Sequence, residues 1–105
     1  MIYHIVKRAD WDRARAMRVY MGDTLASQGF IHCSEQHQVI HVASSRYKGQ
    51  TDLVVLCIEE ERIKAPVKRE NLEGGTELFP HIYGPLNIDA VVRVMNLPPD
   101  GNLVI

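Results

Sequence analysis

Missing from this sequence is any apolar run approaching the roughly 20 residues that cross a bilayer. The opening Met1-Ile2-Tyr3-His4 has no basic stretch followed by an apolar one, so no signal peptide is expected. These absences predict a cytoplasmic location and no membrane partner. Cysteine is scarce as well. Cys33 and Cys57 cannot build the disulfide framework of a small secreted domain, and their spacing fits no zinc ribbon. Both sit in apolar patterns and read as buried small hydrophobes. An excess of charge is also lacking: 12 Lys and Arg face 13 Asp and Glu, a formal charge of −1. No whole-protein field therefore favours nucleic acid, and RNA is not indicated as a partner by net charge. Lys7, Arg8, Arg13, Arg15 and Arg18 do crowd the first fifth of the chain. Such a run is more often a solvated helix face than a phosphate site.

What remains is an ordinary globular composition, 46% hydrophobic and 24% charged over 105 residues. That length suits one domain, 1–105, burying roughly 65% of its extended surface. The pattern is α+β. Residues 2–6 read as a strand with Ile2, His4 and Val6 on one face. Asp10 is typed to cap a helix reaching about residue 21, with Trp11, Ala14, Met17 and Met21 on its apolar side. Gly22-Asp23-Thr24 ends it. A second helix over about 35–48 carries Val39, Val42, Ala43 and Tyr47 as its stripe and closes on Gly49. Leu53–Ile58 is unbroken and apolar, as a central strand covered on both faces would be. Val67–Glu70 reads as a short strand, 71–76 as a flexible loop, 90–97 as a returning strand and 98–105 as a loose tail.

Histidine recurs in a telling way. Gly29 to Gln36 reads Gly-Phe-Ile-His-Cys-Ser-Glu-Gln, a strand with Phe30, His32 and Ser34 on one face and Ile31 and Cys33 on the other. Ser34 is typed to cap the helix that follows, which would put His32 beside a helix N-terminus that attracts anions. Two further short strands carry histidine similarly, around His4 and in Phe79-Pro80-His81-Ile82-Tyr83. Pro80 cannot donate to a ladder, so its strand belongs at a sheet edge or a break, and Phe79, His81 and Tyr83 look like one wall of a cleft. His37 and His41 form an i, i+4 pair without the intervening glutamate of a helical zinc motif, and read as surface polar residues.

Three histidines on three strands can converge. One outcome is a metal-dependent hydrolase using His4, His32 and His81, since three imidazoles leave an open position for water. No carboxylate accompanies them in sequence to orient them, and no tightly bound metal is expected. The other outcome is a pocket for a nucleotide, with histidines bonding ribose hydroxyls and Tyr3, Phe79 or Tyr83 stacking on a ring. If the histidines face a solvated cleft, His4→Ala and His32→Ala should change stability little.

The motifs Ile-Tyr-His-Ile, Gly-Phe-Ile-His-Cys-Ser and Glu-Leu-Phe-Pro-His-Ile-Tyr-Gly-Pro-Leu resemble those of the bacterial family called domain of unknown function 952, over nearly the whole chain. The resemblance implies a fold similar to that of ADP-ribosyltransferases: split β-sheets around a cleft, with two main helices outside. It further implies NAD as cofactor and a likeness to the RNA 2′-phosphotransferase branch. On that likeness His4 positions the ribose, His32 lines the same pocket, and His81 completes the candidate catalytic set. Tyr3, Ser34, Phe79 and Tyr83 are the candidate cofactor contacts. The third motif has no acid where protein-modifying transferases carry glutamate, which favours a non-catalytic nucleotide-binding module over that activity. Glu70 and Glu77 are the nearest acids.

Overall fold

The computed structural model describes residues 1–22, 24–72 and 74–105. Its elements run β1 (Ile2–Lys7), α1 (Arg8–Met17), β2 (Val19–Tyr20), α2 (Leu25–Gln28), β3 (Ile31–His32), α3 (Gln36–Arg46), β4 (Leu53–Ile58), β5 (Val67–Glu70), β6 (Phe79–Ile82), β7 (Leu86–Asn87) and β8 (Val91–Leu97). Single 3₁₀ turns at Glu60–Arg62 and Ile88–Ala90 precede β5 and β8. The expected turn at Gly22-Asp23-Thr24 and the expected loop over 71–76 contain Asp23 and Glu73, which lie outside the described residues. The result is a mixed α+β fold with three helices and small antiparallel sheets among the described residues. No helix among the described residues is long and apolar enough to cross a membrane.

β4 is the centre of this fold, as its unbroken apolar sequence predicts. It lies antiparallel between β1 and β8, and all six of its residues are buried. Val54, Leu56 and Ile58 join Ile2, Val6, Trp11 and Ala14 in a core that also takes Ile31, Ile82 and Leu86 from beyond the sheet. Leu53, Val55 and Cys57 join Tyr3, Ile5, Val39 and Ala43 in a second core beneath α3. Each fully buried aliphatic side chain contributes roughly 1.5–3 kcal/mol relative to exposure. Both cysteines are free and buried, and burial pushes both thiols up from their ordinary range.

Several local expectations need correction. α1 begins at Arg8 because the strand runs into it directly through Lys7, so Asp10 sits in the first turn rather than at the cap. A carboxylate there still complements the helix dipole. The helix stops at Met17, since Arg18 is left-handed (φ 63°) and its N–H closes on Ala14 and Arg15 carbonyls. Val19 and Tyr20 leave the helix to pair with β7, and Met17 and Met21 are exposed. Residues before the third strand form a one-turn helix, α2. At α3 the cap is Glu35, in a capping box with Gln38, because Ser34 is drawn into backbone pairing with Tyr3. That box satisfies the helix end expected to attract an anion.

β6 is the middle strand of β3-β6-β5, not an edge. The break expected at Pro80 is real, however. Its carbonyl accepts from Cys33 N–H at 3.0 Å, and since a strand residue's N–H and C=O face the same neighbour, the missing N–H falls toward β3. There β3 ends and the chain turns away to Tyr3. Proline marks the point of departure. The 98–105 segment, expected to be loose, is fastened at several points. Pro99 O accepts from Gly49 N–H at 2.7 Å, Leu103 is buried in the second core, and Gly101 lies directly against α3.

Two stability predictions follow from this packing. A Cβ on Gly101, whose φ is +74°, would lie 2.9 Å from Ala43 O and from Ser44 Cα. Gly101→Ala should therefore destabilise by about 1–3 kcal/mol in urea melts, from strain and overpacking together. Arg69 bridges Glu35 (2.6 Å) and Glu60 (2.6 Å), tying β5 to the α3 cap and the first 3₁₀ turn. The guanidinium holds the Glu60 carboxyl below its ordinary 4.5. A depressed carboxyl stabilises above its unfolded pKa and loses that contribution as pH falls through the folded value. The stability difference between the native protein and Arg69→Gln should thus be about 1 kcal/mol at neutral pH, discounted for partial exposure, and shrink below about pH 4.5. A difference unchanged at pH 3 would contradict it.

Candidate functional site

β4 occupies one edge of β1, while on the other edge the backbone just beyond β3 pairs with it in an isolated bridge, where Tyr3 and Ser34 exchange hydrogen bonds of 2.8 Å each. Beyond that contact β1 borders a cleft of about 670 Å³. Tyr3, His4, Ile5, Val6 and Lys7 all line it. Consecutive strand residues alternate faces, so a run of five beside one space means that the space lies along the strand edge. α1 and α3 contribute Arg13 and Arg46, β2 contributes Tyr20, and β3 and β6 contribute His32, Phe79 and His81.

The histidines from three strands do converge here, each in a different setting. His4 is buried between Ile2 and Val6 on the face of the first core. Its Nδ1 lies 2.5 Å from the His32 carbonyl oxygen and its Nε2 2.7 Å from the Tyr20 hydroxyl. His32 is half-buried, and its Nε2 lies 2.8 Å from Gln28 Oε1. His81 is buried, with Nδ1 4.0 Å from the Glu70 carboxylate and its ring 5.3 Å from that of His32. Phe30 stands edge-on to both, at 4.8 and 4.9 Å.

Six of the seven residues singled out from sequence border the cleft: His4, His32, His81, Tyr3, Ser34 and Phe79. Tyr83 does not. It lies beyond Phe30 (5.4 Å), gives its hydroxyl to Glu70 and carries the Lys68 ammonium 5.1 Å from its ring centre. The Glu70 carboxylate holds the Tyr83 phenol above its ordinary pKa. Tyr3 borders the cleft but packs in the second core, so its ring is core filling rather than a stacking platform. Of the two candidate acids, Glu70 borders the cleft; Glu77 accepts from Gln38 Nε2 and lies in a neighbouring groove. His37 and His41 are exposed on α3, as expected. Among the described residues, no three His, Cys, Asp or Glu side chains are grouped to hold a metal ion, and both ring nitrogens of His4 are already engaged.

The residues missed from sequence are Tyr20, Gln28 and the basic walls. Tyr20 was hidden by a helical periodicity that runs on past the true stop at Met17. Lys7 and Arg13 belong to the basic run read as solvated; Arg13 is indeed paired with Asp10 at 3.3 Å, yet both border the cleft.

Comparison with known proteins agrees with this architecture. The model of a family described as "Protein of unknown function (DUF952)" matches residues 5–94. The chain belongs to the DUF952 family. It is also similar to the crystal structure of CC0527 from Caulobacter crescentus, with a TM-score of 0.82 at 36% identity, covering 96% of this chain and 90% of that one. The solution NMR structure of CC0527 gives 0.79 at 37% identity, covering 95% and 88%. No curated protein sequence matches the chain.

The two nearest histidines should now behave differently, which revises the expectation for one of them. His4→Ala deprives the His32 carbonyl and the Tyr20 hydroxyl of their shared buried partner, and should cost about 1–3 kcal/mol. His32→Ala removes a half-buried ring bonded to a surface glutamine and should cost under about 1 kcal/mol. Paired urea melts check both values, and equal losses would contradict the assignment.

Proposed function

We propose that this DUF952 protein binds NAD or a related nucleotide in the cleft beside β1, and acts as a transferase at the ribose next to nicotinamide. The observation that carries this reading is the convergence of His4, His32 and His81 on one cleft that Lys7, Arg13 and Arg46 also border. Its volume falls in the range of small-molecule sites, and its lining mixes aromatic and aliphatic side chains with histidines, basic residues and carboxylates. The basic side chains suit a diphosphate, which guanidinium groups can hold through paired hydrogen bonds. On this reading Phe79 stacks on a base and the half-buried His32 bonds a ribose hydroxyl, with the buried His81 packed behind it at 5.3 Å between ring centres. His4 orients the site from beneath.

The separation of β1 from β3 after a single bridge supports an ADP-ribosyltransferase-like reading of the fold, with the cleft at the split. In such a transferase, positive charge builds on the ribose as the nicotinamide bond opens, and stabilising it is the chemical task. Glu70 is the carboxylate at hand, bordering the cleft beside His81. The same pocket with no bond broken would be a binding module, and nicotinamide release from NAD separates the two.

Thermal melts with NAD, ADP-ribose and a 2′-phosphorylated oligonucleotide test the proposal. A ligand of the folded state adds about 2.7 kcal/mol at a hundredfold excess over Kd, which for a domain of this size raises Tm by on the order of 10 °C. His32→Ala should melt close to the native protein and lose most of that shift. No shift with any of the three ligands would overturn the reading.

A further inference from the structure

β1 presents its backbone alternately to its two edges, and two observations fix which residues face which way. Tyr3 exchanges both its backbone hydrogen bonds with Ser34, on the side away from β4. Arg8 N–H donates to Asp52 O at 2.9 Å, on the β4 side. A strand residue's N–H and C=O face one neighbour and those of the next residue face the other. Ile5 and Lys7 therefore turn with Tyr3, while His4 and Val6 turn with Arg8. Ile5 N–H, Ile5 C=O and Lys7 N–H point away from β4 to the edge that borders the cleft. The Lys7 carbonyl is taken by the first turn of α1, whose cap it forms. Among the described residues no hydrogen bond reaches the other three groups. Ile5 is buried, and backbone polar groups in buried positions are nearly always paired.

We propose that this cleft binds an extended, acidic peptide of a partner protein, which adds to the open edge of β1 as a strand at Ile5 and Lys7. Two donors and one acceptor in line are the complement of one edge of a peptide, and main-chain bonds of this kind carry affinity in strand addition. The edge is also recessed. Trp11 and Ala14 place α1 on one face of the sheet, and Val39 and Ala43 place α3 on the other. The open edge thus lies at the floor of a groove between two helices, which admits a single extended chain and shuts out the broad edge of another sheet. Charge selects the kind of chain. Lys7 stands on the edge itself, and Arg13 and Arg46 border the cleft from α1 and α3. The carboxylates of the lining are Asp10, paired with Arg13 at 3.3 Å, and Glu70, which lies by His81 at the β6 end. Met17 and Val42 offer apolar walls to alternate side chains of the added strand. This binding function goes beyond the nucleotide reading and does not depend on it, although both use the lining of one cleft.

The test passes a library of N-acetylated, C-amidated heptapeptides, degenerate at every position, over the immobilised full chain. The best sequence is then measured in solution by fluorescence anisotropy. Selected peptides should be rich in Asp, Glu and β-branched residues. Methylating one peptide nitrogen at a time should weaken binding on the order of tenfold at alternate positions only, as pairing along one edge requires. Lys7→Pro isolates the edge. Lys7 has φ −64°, which proline adopts without strain, and Val6 before it is already extended, so the variant should fold while lacking the edge N–H. Lys7→Gln removes the charge alone and sets the baseline; Lys7→Pro should bind about tenfold more weakly than that. Failure to select any peptide, losses on methylation that do not alternate, or equal binding by folded Lys7→Pro and Lys7→Gln would each overturn the proposal. Self-association of the chain that the peptide dissolves would put a second copy on the edge and overturn it too. A peptide that meets these criteria upholds it whether or not NAD shifts the melting curve, so the two readings fail separately.

Discussion

Two backbone hydrogen bonds between Tyr3 and Ser34, each 2.8 Å, join the sheet around β4 to the sheet around β6. Were β3 to pair with β1 along its length, the open edge of β1 would close and the cleft would vanish. Were it not to pair at all, nothing would bring His32 close to His4. A single bridge does both things: it fixes the His32 carbonyl against the His4 ring and then lets the strands part. Pro80 enforces the parting from the other side, because it withholds the N–H that would continue the β3–β6 ladder past Cys33.

The stability of this junction comes from its apolar surroundings and its polar satisfaction together. Ile2, Ile31 and Ile82 pack directly beneath it, all fully buried. A histidine placed among them is costly unless both ring nitrogens find partners, since an unmet buried polar group loses roughly 1–3 kcal/mol. His4 meets that demand with a carbonyl and a phenol. Its ring is therefore a structural link between β1, β3 and β2 before it is anything else.

Much of the fold could be read from sequence where one physical signal dominated. The buried run of β4 was unambiguous, and Val67–Glu70 was bounded by its own turns. Helix ends were less legible. The 3.6-residue spacing of Trp11, Ala14, Met17 and Met21 is satisfied on paper through residue 21, but Arg18 adopts a left-handed conformation that no local residue preference announces. Tyr20 thus passed as helix surface. Similarly, Ser34 has the chemistry of a cap, and only the long-range pairing with Tyr3 explains why Glu35 takes the role. The candidate site was visible in part because histidine at the same position in three short strands is unusual. What the pattern could not reveal is that Phe79 borders the cleft while Tyr83, just past the end of β6, packs on Phe30 and bonds Glu70 outside its lining.

Charge illustrates the same limit from another direction. A formal net charge of −1 argues against a general attraction for anions. Yet the fold gathers Lys7 from the end of β1, Arg13 from α1 and Arg46 from the end of α3 around one cleft, against Asp10 and Glu70. Meanwhile Arg69 is spent on Glu35 and Glu60 elsewhere, and Arg15 on Asp12. Summed over the chain these charges cancel; distributed by the fold they do not. Within the cleft Arg13 is itself paired with Asp10, and charges gathered there act on one another at an effective dielectric below that of water. Which charges meet beside β1 is therefore a property of how α1 and α3 pack, and composition alone could not have supplied it.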